Sequence, residues 1–264
     1  MSQVRLSIPL KEKRSFGQTM RRDAWWIQPV LTFIPLMAFV VYSTWAAFQN
    51  ANYSFENYLS PFYSPEIFGT SEHALFGPKP SWIPDWIPFS PALLILWAPA
   101  GFRMTCYYYR GAYYKAFWGD PLNCTVGEPR SGYRGENSLP LILQNIHRYF
   151  LYVALFFLLF LAWDAIQAFR FKDGFHVKLG SIVLTANVVC LSLYTFSCHS
   201  LRHLLGGKHD VISDKPFQCA AYETCSKLNQ RHMLFAWISL FVVGFSDIYV
   251  RMLSMGVWTD FRFF

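Results

Sequence analysis

Six cysteines and seven histidines are the residues of this sequence best equipped for chemistry. A thiolate is a soft metal donor and an imidazole a borderline one, and together they suit zinc or iron–sulfur centres. Most of them fall in a few stretches: Cys106 and Cys124, then His147, then Cys198, His199 and His203, then His209, Cys219, Cys225 and His232. Cys190, His73 and His176 stand apart. The spacing inside these stretches is not a metal-site signature. The paired C-x-H and C-x-x-H motifs of soluble Rieske proteins are absent, and so is the H-x-x-H-H run of membrane di-iron desaturases. On a helix, His199 and His203 share one face while Cys198 and Arg202 share a neighbouring one. One helix therefore does not present Cys198 and His203 to a single centre. The packing of several elements must bring the donors together.

Those elements are membrane helices. Of 264 residues, 53% are hydrophobic and 19% aromatic, while only 15% are charged. A soluble domain of this size carries more charge and fewer aromatics. About 20 predominantly apolar residues cross a bilayer as a helix. Five segments meet that condition: 25–48, 91–109, 139–169, 179–205 and 233–252. The expected fold is an all-α polytopic membrane bundle of five helices, with residues 1–264 forming one membrane domain. Pro29 and Pro35 fall inside the first span, and Pro99-Ala100-Gly101 marks a bend in the second. Met1 to Asp23 is polar and basic, and no small-residue cleavage site ends the apolar run behind it, so the first helix is expected to be retained.

Charge sets the orientation. With the 1–24 tail and the loops 110–138 and 206–232 in the cytoplasm, 17 of the 23 Lys and Arg residues lie inside. That positive-inside bias places the 49–90 loop and the C-terminus outside, in a multi-pass protein of the cytoplasmic membrane. The net charge of +7 then suits anionic lipid or an acidic partner. Tyr107-Tyr108-Tyr109-Arg110 interleaves aromatics with a base, as a single-strand platform would. At the inner end of a membrane helix it reads as an aromatic belt, and no nucleic-acid partner is expected. Trp82-Ile83-Pro84-Asp85-Trp86-Ile87-Pro88 reads as a loop anchored among headgroups, or as a cap over the outer face.

In this topology five cysteines and five histidines gather on the inner side, and four spans each contribute. The second brings Cys106, the third His147, the fourth Cys198, His199 and His203, and the fifth His232. Thiols facing a reducing cytoplasm are not structural disulfides, and ionisable residues within a bilayer are rare and usually functional. Three readings remain open: a metal or iron–sulfur centre in the inner leaflet, one haem between His147 and a second histidine, or a transporter or scaffold with no redox centre in which the cysteines act as small hydrophobes. A two-haem cytochrome would need histidines in the outer half of the helices, and none is there. A second polar group lies in the outer half, with Asp164, Asn187, Asp247 and Arg251. Asp247 and Arg251 are four apart and can pair. A proton path, an outer quinone pocket and a structural ion pair all fit them.

The stretches Arg103–Arg110, Asn145–Tyr149, Ser197–His203 with Gly206-Gly207, and Asp247–Arg251 together resemble the membrane-anchor subunits of succinate dehydrogenase. The resemblance is to the actinobacterial type, associated with an embedded Rieske-type cluster, and it covers the chain from about Pro91 onward. It implies a cytoplasmic flavoprotein subunit and an iron–sulfur subunit docked on the basic inner face, with room for a second small membrane subunit. It implies electron transfer through a [2Fe–2S] cluster to menaquinone, with haem b as the alternative cofactor. On that basis the expected ligands are Cys106, His147, Cys198 and His232, with His203 as first substitute. Arg103, Arg148, Arg231 and Tyr107 are expected beside the cluster or quinone. Asp247 and Arg251 are expected at an outer quinone or proton site.

Overall fold

A computed structural model describes residues 15–84, 86–119, 122–129, 137–139, 141–171, 174–207, 209 and 211–263. Arg5, Lys11, Lys13, Arg14, Arg130, Arg134, Lys172 and Lys208, which contribute to the charge asymmetry, lie outside these residues.

Four helices among the described residues are long and apolar enough to cross a membrane. They are α1 (Ile27–Gln49), α5 (His147–Gln167), α6 (Leu179–Phe196) and α9 (His232–Ser254). At 1.5 Å per residue, the 23 residues of α1 reach about 34 Å, enough for a hydrocarbon core of about 30 Å. Asn50 ends α1 in the left-handed region, at φ 48°, which asparagine tolerates better than most residues.

The second expected span is not one helix. It is divided into α2 (Pro91–Ile95), α3 (Trp97–Met104) and α4 (Tyr107–Ala116). Pro99 has no N–H for the Ile95 carbonyl, which accounts for the break at Leu96. A second break follows at Cys106, whose backbone is extended with ψ 131°. The fourth expected span is interrupted in the same way. Helix α6 stops at Phe196, Cys198 is extended with ψ 136°, and α7 (His199–Gly206) sets off anew. Helix α8 (Pro216–Asn229) then leads into α9. The third span begins as a 3₁₀ turn over Leu141–Ile146 before α5. The expectation of a purely helical chain also needs amending. Two short hairpins are present, β1 (Ser54–Phe55) with β2 (Tyr58–Leu59), and β3 (Arg170–Phe171) with β4 (Gly174–Phe175).

Helix α9 is the spine. It packs chiefly on α6, which packs in turn on α5. At one end of the bundle the 49–90 segment folds inward. Tyr58 and Tyr63 are fully buried there, and the Tyr63 hydroxyl donates to the Ala46 carbonyl at 2.7 Å. Trp82 and Trp86 stay exposed, so the two halves of this segment differ in role. Asp247 and Arg251 lock the inserted half to α9. Both are buried, at 0% and 2% exposure, and they pair at 3.4 Å. Tyr42 donates to Asp247 at 2.5 Å and Ser60 donates to its other oxygen. Arg251 donates to the Ala51 carbonyl at 2.8 Å. This network ties α1, the loop and α9 together, which favours the structural reading of the pair.

Removing one partner of a buried ion pair strands the other charge, at a cost of about 3–5 kcal/mol, whereas replacing both with apolar groups is often tolerated. Asp247→Ala is therefore expected to lower the melting temperature of the detergent-purified protein strongly. The double variant Asp247→Leu with Arg251→Met is expected to recover most of the loss. Equal melting of single and double variants would count against the lock.

Candidate metal centre

At the opposite end of the bundle the two helix breaks face two helix starts. Cys106 and Cys198 occupy equivalent positions, each an extended residue immediately before a helix, α4 and α7. His147 and His232 are the first residues of α5 and α9. Four helix N-termini thus deliver two thiols and two imidazoles to one place. Cys106 and Cys198 are each 2% exposed and His147 is 7% exposed, while His232 is partly buried.

The four side chains form two crossed relays. Thr105 contacts His147 Nδ1 at 2.8 Å, and His147 Nε2 lies 3.1 Å from Cys198 Sγ. Ser197 contacts His232 Nδ1 at 2.7 Å, and His232 Nε2 lies 3.4 Å from Cys106 Sγ. The dipeptide Thr105-Cys106 therefore orients one imidazole and meets the other, and Ser197-Cys198 does the reverse.

Hydrogen-bond accounting fixes the tautomers. The Thr105 hydroxyl donates its proton to the Gly101 carbonyl at 2.7 Å, so it accepts from His147 Nδ1–H. The Ser197 hydroxyl donates to the Tyr194 carbonyl at 3.0 Å, so it accepts from His232 Nδ1–H. Both Nε2 lone pairs then point at the sulfurs. Oriented in this way, an imidazole is set to accept a thiol proton or to bind a metal. Aromatic rings hold the imidazoles flat. Phe102 stacks on His147 with centroids 4.8 Å apart, and Tyr194 on His232 at 5.1 Å.

The relays border a cavity of about 120 Å³, also lined by Tyr107, Gln144 and His199. Among the described residues no three His, Cys, Asp or Glu side chains close on a single point that could hold one metal ion. The donors come as two pairs instead. Two thiols and two imidazoles are the donor set of a Cys2His2 zinc site and of a Rieske-type cluster alike.

The other sequence candidates are distributed around this site. Arg103 is partly buried, and it donates to the Tyr109 hydroxyl at 2.9 Å, the Ala236 carbonyl at 3.2 Å and Ser239 at 3.0 Å. Its guanidinium lies 4.7 Å from the Tyr194 ring centroid. Tyr107 is exposed beneath Arg110, 4.1 Å from its ring centroid. Arg231 is exposed immediately before His232. His203 is exposed and sits 3.3 Å from Arg148, away from the cavity lining. Asp247 and Arg251 belong to the lock at the far end. Behind Phe102 and Tyr194 lies a second cavity of about 160 Å³, apolar but for Arg103, Ser43 and Thr195.

A family model for the actinobacterial succinate dehydrogenase subunit SdhC matches residues 27–256. The chain belongs to that family. Its fold matches a chain of the Mycobacterium smegmatis Sdh1 complex in the apo form, with a TM-score of 0.86 and 42% identity over 97% of this chain and 98% of that one. No curated protein matches the chain.

Sequence reasoning named the four donors but missed Thr105, Ser197, Phe102 and Tyr194. A signal was present: a small hydroxyl residue precedes cysteine in both Thr105-Cys106 and Ser197-Cys198. Burial makes a direct prediction. Cys106 and Cys198 are expected to resist maleimide in the folded, detergent-solubilised protein, whereas exposed Cys124 reacts. Mass spectrometry of the labelled peptides checks this, and equal labelling of all three would contradict the site as described.

Proposed function

We propose that the chain is the electron-transferring membrane anchor of a succinate:quinone oxidoreductase, with Cys106, His147, Cys198 and His232 holding a Rieske-type [2Fe–2S] cluster. The crossed pairing of two thiols with two pre-oriented imidazoles carries this reading. Such a cluster, when bound, carries one electron at a time at a potential raised by imidazole ligation. Thr105 and Ser197 hold the imidazole rings in the ligating tautomer. Phe102 and Tyr194 restrain the same rings and keep water out.

A quinone, menaquinone in the simplest case, is the acceptor. The apolar cavity behind Phe102 and Tyr194 suits its ring and tail, and Arg103 supplies a polar end. One layer of aromatic rings separates that cavity from the relays, which suits electron transfer between them. Haem is less favoured, because each imidazole Nε2 already faces a thiol across a small cavity.

In this reading the broken segment α2–α4 supplies a fifth crossing. The N-terminus lies in the cytoplasm, the C-terminus outside, and the membrane is the cytoplasmic one. The relay end then carries Arg110, Lys115, Arg202, Lys215 and Lys227, where an iron–sulfur subunit would dock with its flavoprotein partner. A second small membrane subunit fits against the exposed apolar flank of α1, where Leu31, Ile34 and Val41 are exposed.

Iron and acid-labile sulfide in the purified complex are expected to exceed the content of the soluble subunits. Cys106→Ser and Cys198→Ser are each expected to remove that excess together with its EPR signal. Thr105→Val is expected to weaken retention about 10–100-fold, the usual effect of losing an outer-sphere partner of a ligating histidine. A haem α-band assigned to this chain, or full iron retention in both cysteine variants, would overturn the cluster.

A further inference from the structure

The break between α6 and α7 orphans two carbonyls. On a continuous helix the Phe196 carbonyl would accept from the Ser200 N–H, and the Ser197 carbonyl from the Leu201 N–H. The extended backbone of Cys198 interrupts that ladder. Buried backbone carbonyls need other partners, and helix α8 supplies them. The Cys225 thiol donates to the Phe196 carbonyl at 3.1 Å, and the Asn229 side-chain amide donates to the Ser197 carbonyl at 2.7 Å. Cys225 and Asn229 are four apart and share one face of α8. Cys225 is 3% exposed.

Helix α8 also grips the far side of the break. Arg202 of α7 donates to Ser226 at 2.9 Å and to the Tyr222 hydroxyl at 2.8 Å. Gly206 lets Tyr222 come close, since a β-carbon there would lie 2.5 Å from the ring. One helix outside the membrane spans therefore splints both halves of the break. The splint reaches the relays through Ser197. Asn229 holds its carbonyl, and its hydroxyl accepts from Nδ1–H of His232, three residues further along the chain. Cys198 follows directly and faces His147.

We propose that Cys225 and Asn229 are positioning residues for the candidate metal centre: their donors hold the Phe196 and Ser197 carbonyls and so fix the direction in which Ser197 and Cys198 point. This rests on the metal-centre reading above, while its first test needs no metal. Each residue acts through the backbone of the break. Removing both donors lets the dipeptide swing, which moves one thiol and loosens the orienting partner of one imidazole.

The first test uses the full chain in detergent, stripped of iron. Asn229→Leu keeps the side-chain volume and removes the donor. Combined with Cys225→Ala, it is expected to raise the rate of maleimide labelling at Cys198 about tenfold, the scale of local opening when buried carbonyls lose their donors. Cys106 lies in the other break and is expected to keep its resistance, with peptide mass spectrometry separating the two. Cys225→Ser retains an O–H donor and is expected to label at the parental rate. In the purified complex with its partner subunits, Cys225→Ala and Asn229→Leu are expected to change the EPR line shape of the reduced centre, and Cys225→Ser to preserve it. The parent chain offers a check that needs no folded variant: the infrared S–H stretch of Cys225 is expected below that of exposed Cys124.

Unchanged labelling of Cys198 in the double variant overturns the proposal. So does an equal gain at Cys106 and Cys198, which would mark a general loosening of the bundle. Loss of iron in Cys225→Ser also overturns it, by making Cys225 a ligand, and an S–H stretch equal to that of Cys124 removes the donor assignment. A parent complex with no EPR signal from this chain overturns the cluster reading instead, and the labelling of Cys198 still decides whether the splint aims the dipeptide.

Discussion

Each hydroxyl–cysteine dipeptide serves two histidines at once, and the architecture at this end of the bundle follows from that constraint. Thr105 must reach His147 while Cys106 reaches His232, and Ser197 must reach His232 while Cys198 reaches His147. Side chains of adjacent residues on a continuous helix point about 100° apart, which follows from 3.6 residues per turn. Here each pair must address two partners on different helices. Breaking the helix between hydroxyl residue and cysteine solves the problem, and both breaks use the same extended cysteine backbone. Gly101 and Tyr194 accept the hydroxyl protons, and that in turn fixes the imidazole tautomers. The break, the capping hydroxyl and the ring orientation are one device used twice.

The two ends of the bundle treat buried charge differently. Asp247 and Arg251 neutralise each other and are satisfied by Tyr42, Ser60 and Ala51, so that end is closed electrostatically. Arg103 has hydroxyl, carbonyl and aromatic partners but no carboxylate among the described residues. Its charge is left to act on its surroundings in a region of low dielectric, where such fields are strong. Helix α9 joins the two regimes. It begins with His232 in a relay and carries Asp247 about 22 Å further along its axis. The lock holds the spine in place while its first residue is aimed.

The sequence revealed the membrane helices and the donors for simple reasons. Long apolar runs leave little ambiguity, and Cys106, His147, Cys198 and His232 each sit at the end of one. It did not reveal the breaks at Cys106 and Cys198, because hydropathy is blind to a single extended residue inside an apolar run. The 91–109 segment therefore reads as one span, although Pro99 and Cys106 divide it. His203 was expected as the first substitute ligand. The helix restart at His199 turns it outward to Arg148. Phe102 and Tyr194 were hidden among 26 phenylalanines and 15 tyrosines, where residue type alone singles out none. Only the stacking on the imidazoles distinguishes these two.

The four helix starts at the site share one further property. Ordinary helices place Asp or Glu in the first turn and a hydroxyl or amide side chain at the cap, which offsets the positive end of the helix dipole. Helices α4, α5, α7 and α9 have no acidic residue in the first turn, and none has a side-chain cap hydrogen bond. Four uncapped positive ends thus surround two thiols in a setting with little water. The positive ends favour an anionic centre over a neutral one. Carboxylates at these starts would stabilise the isolated helices and cancel that field. They are absent from all four, beside an Arg103 that no carboxylate among the described residues pairs with, so the field of these helix ends is left uncancelled.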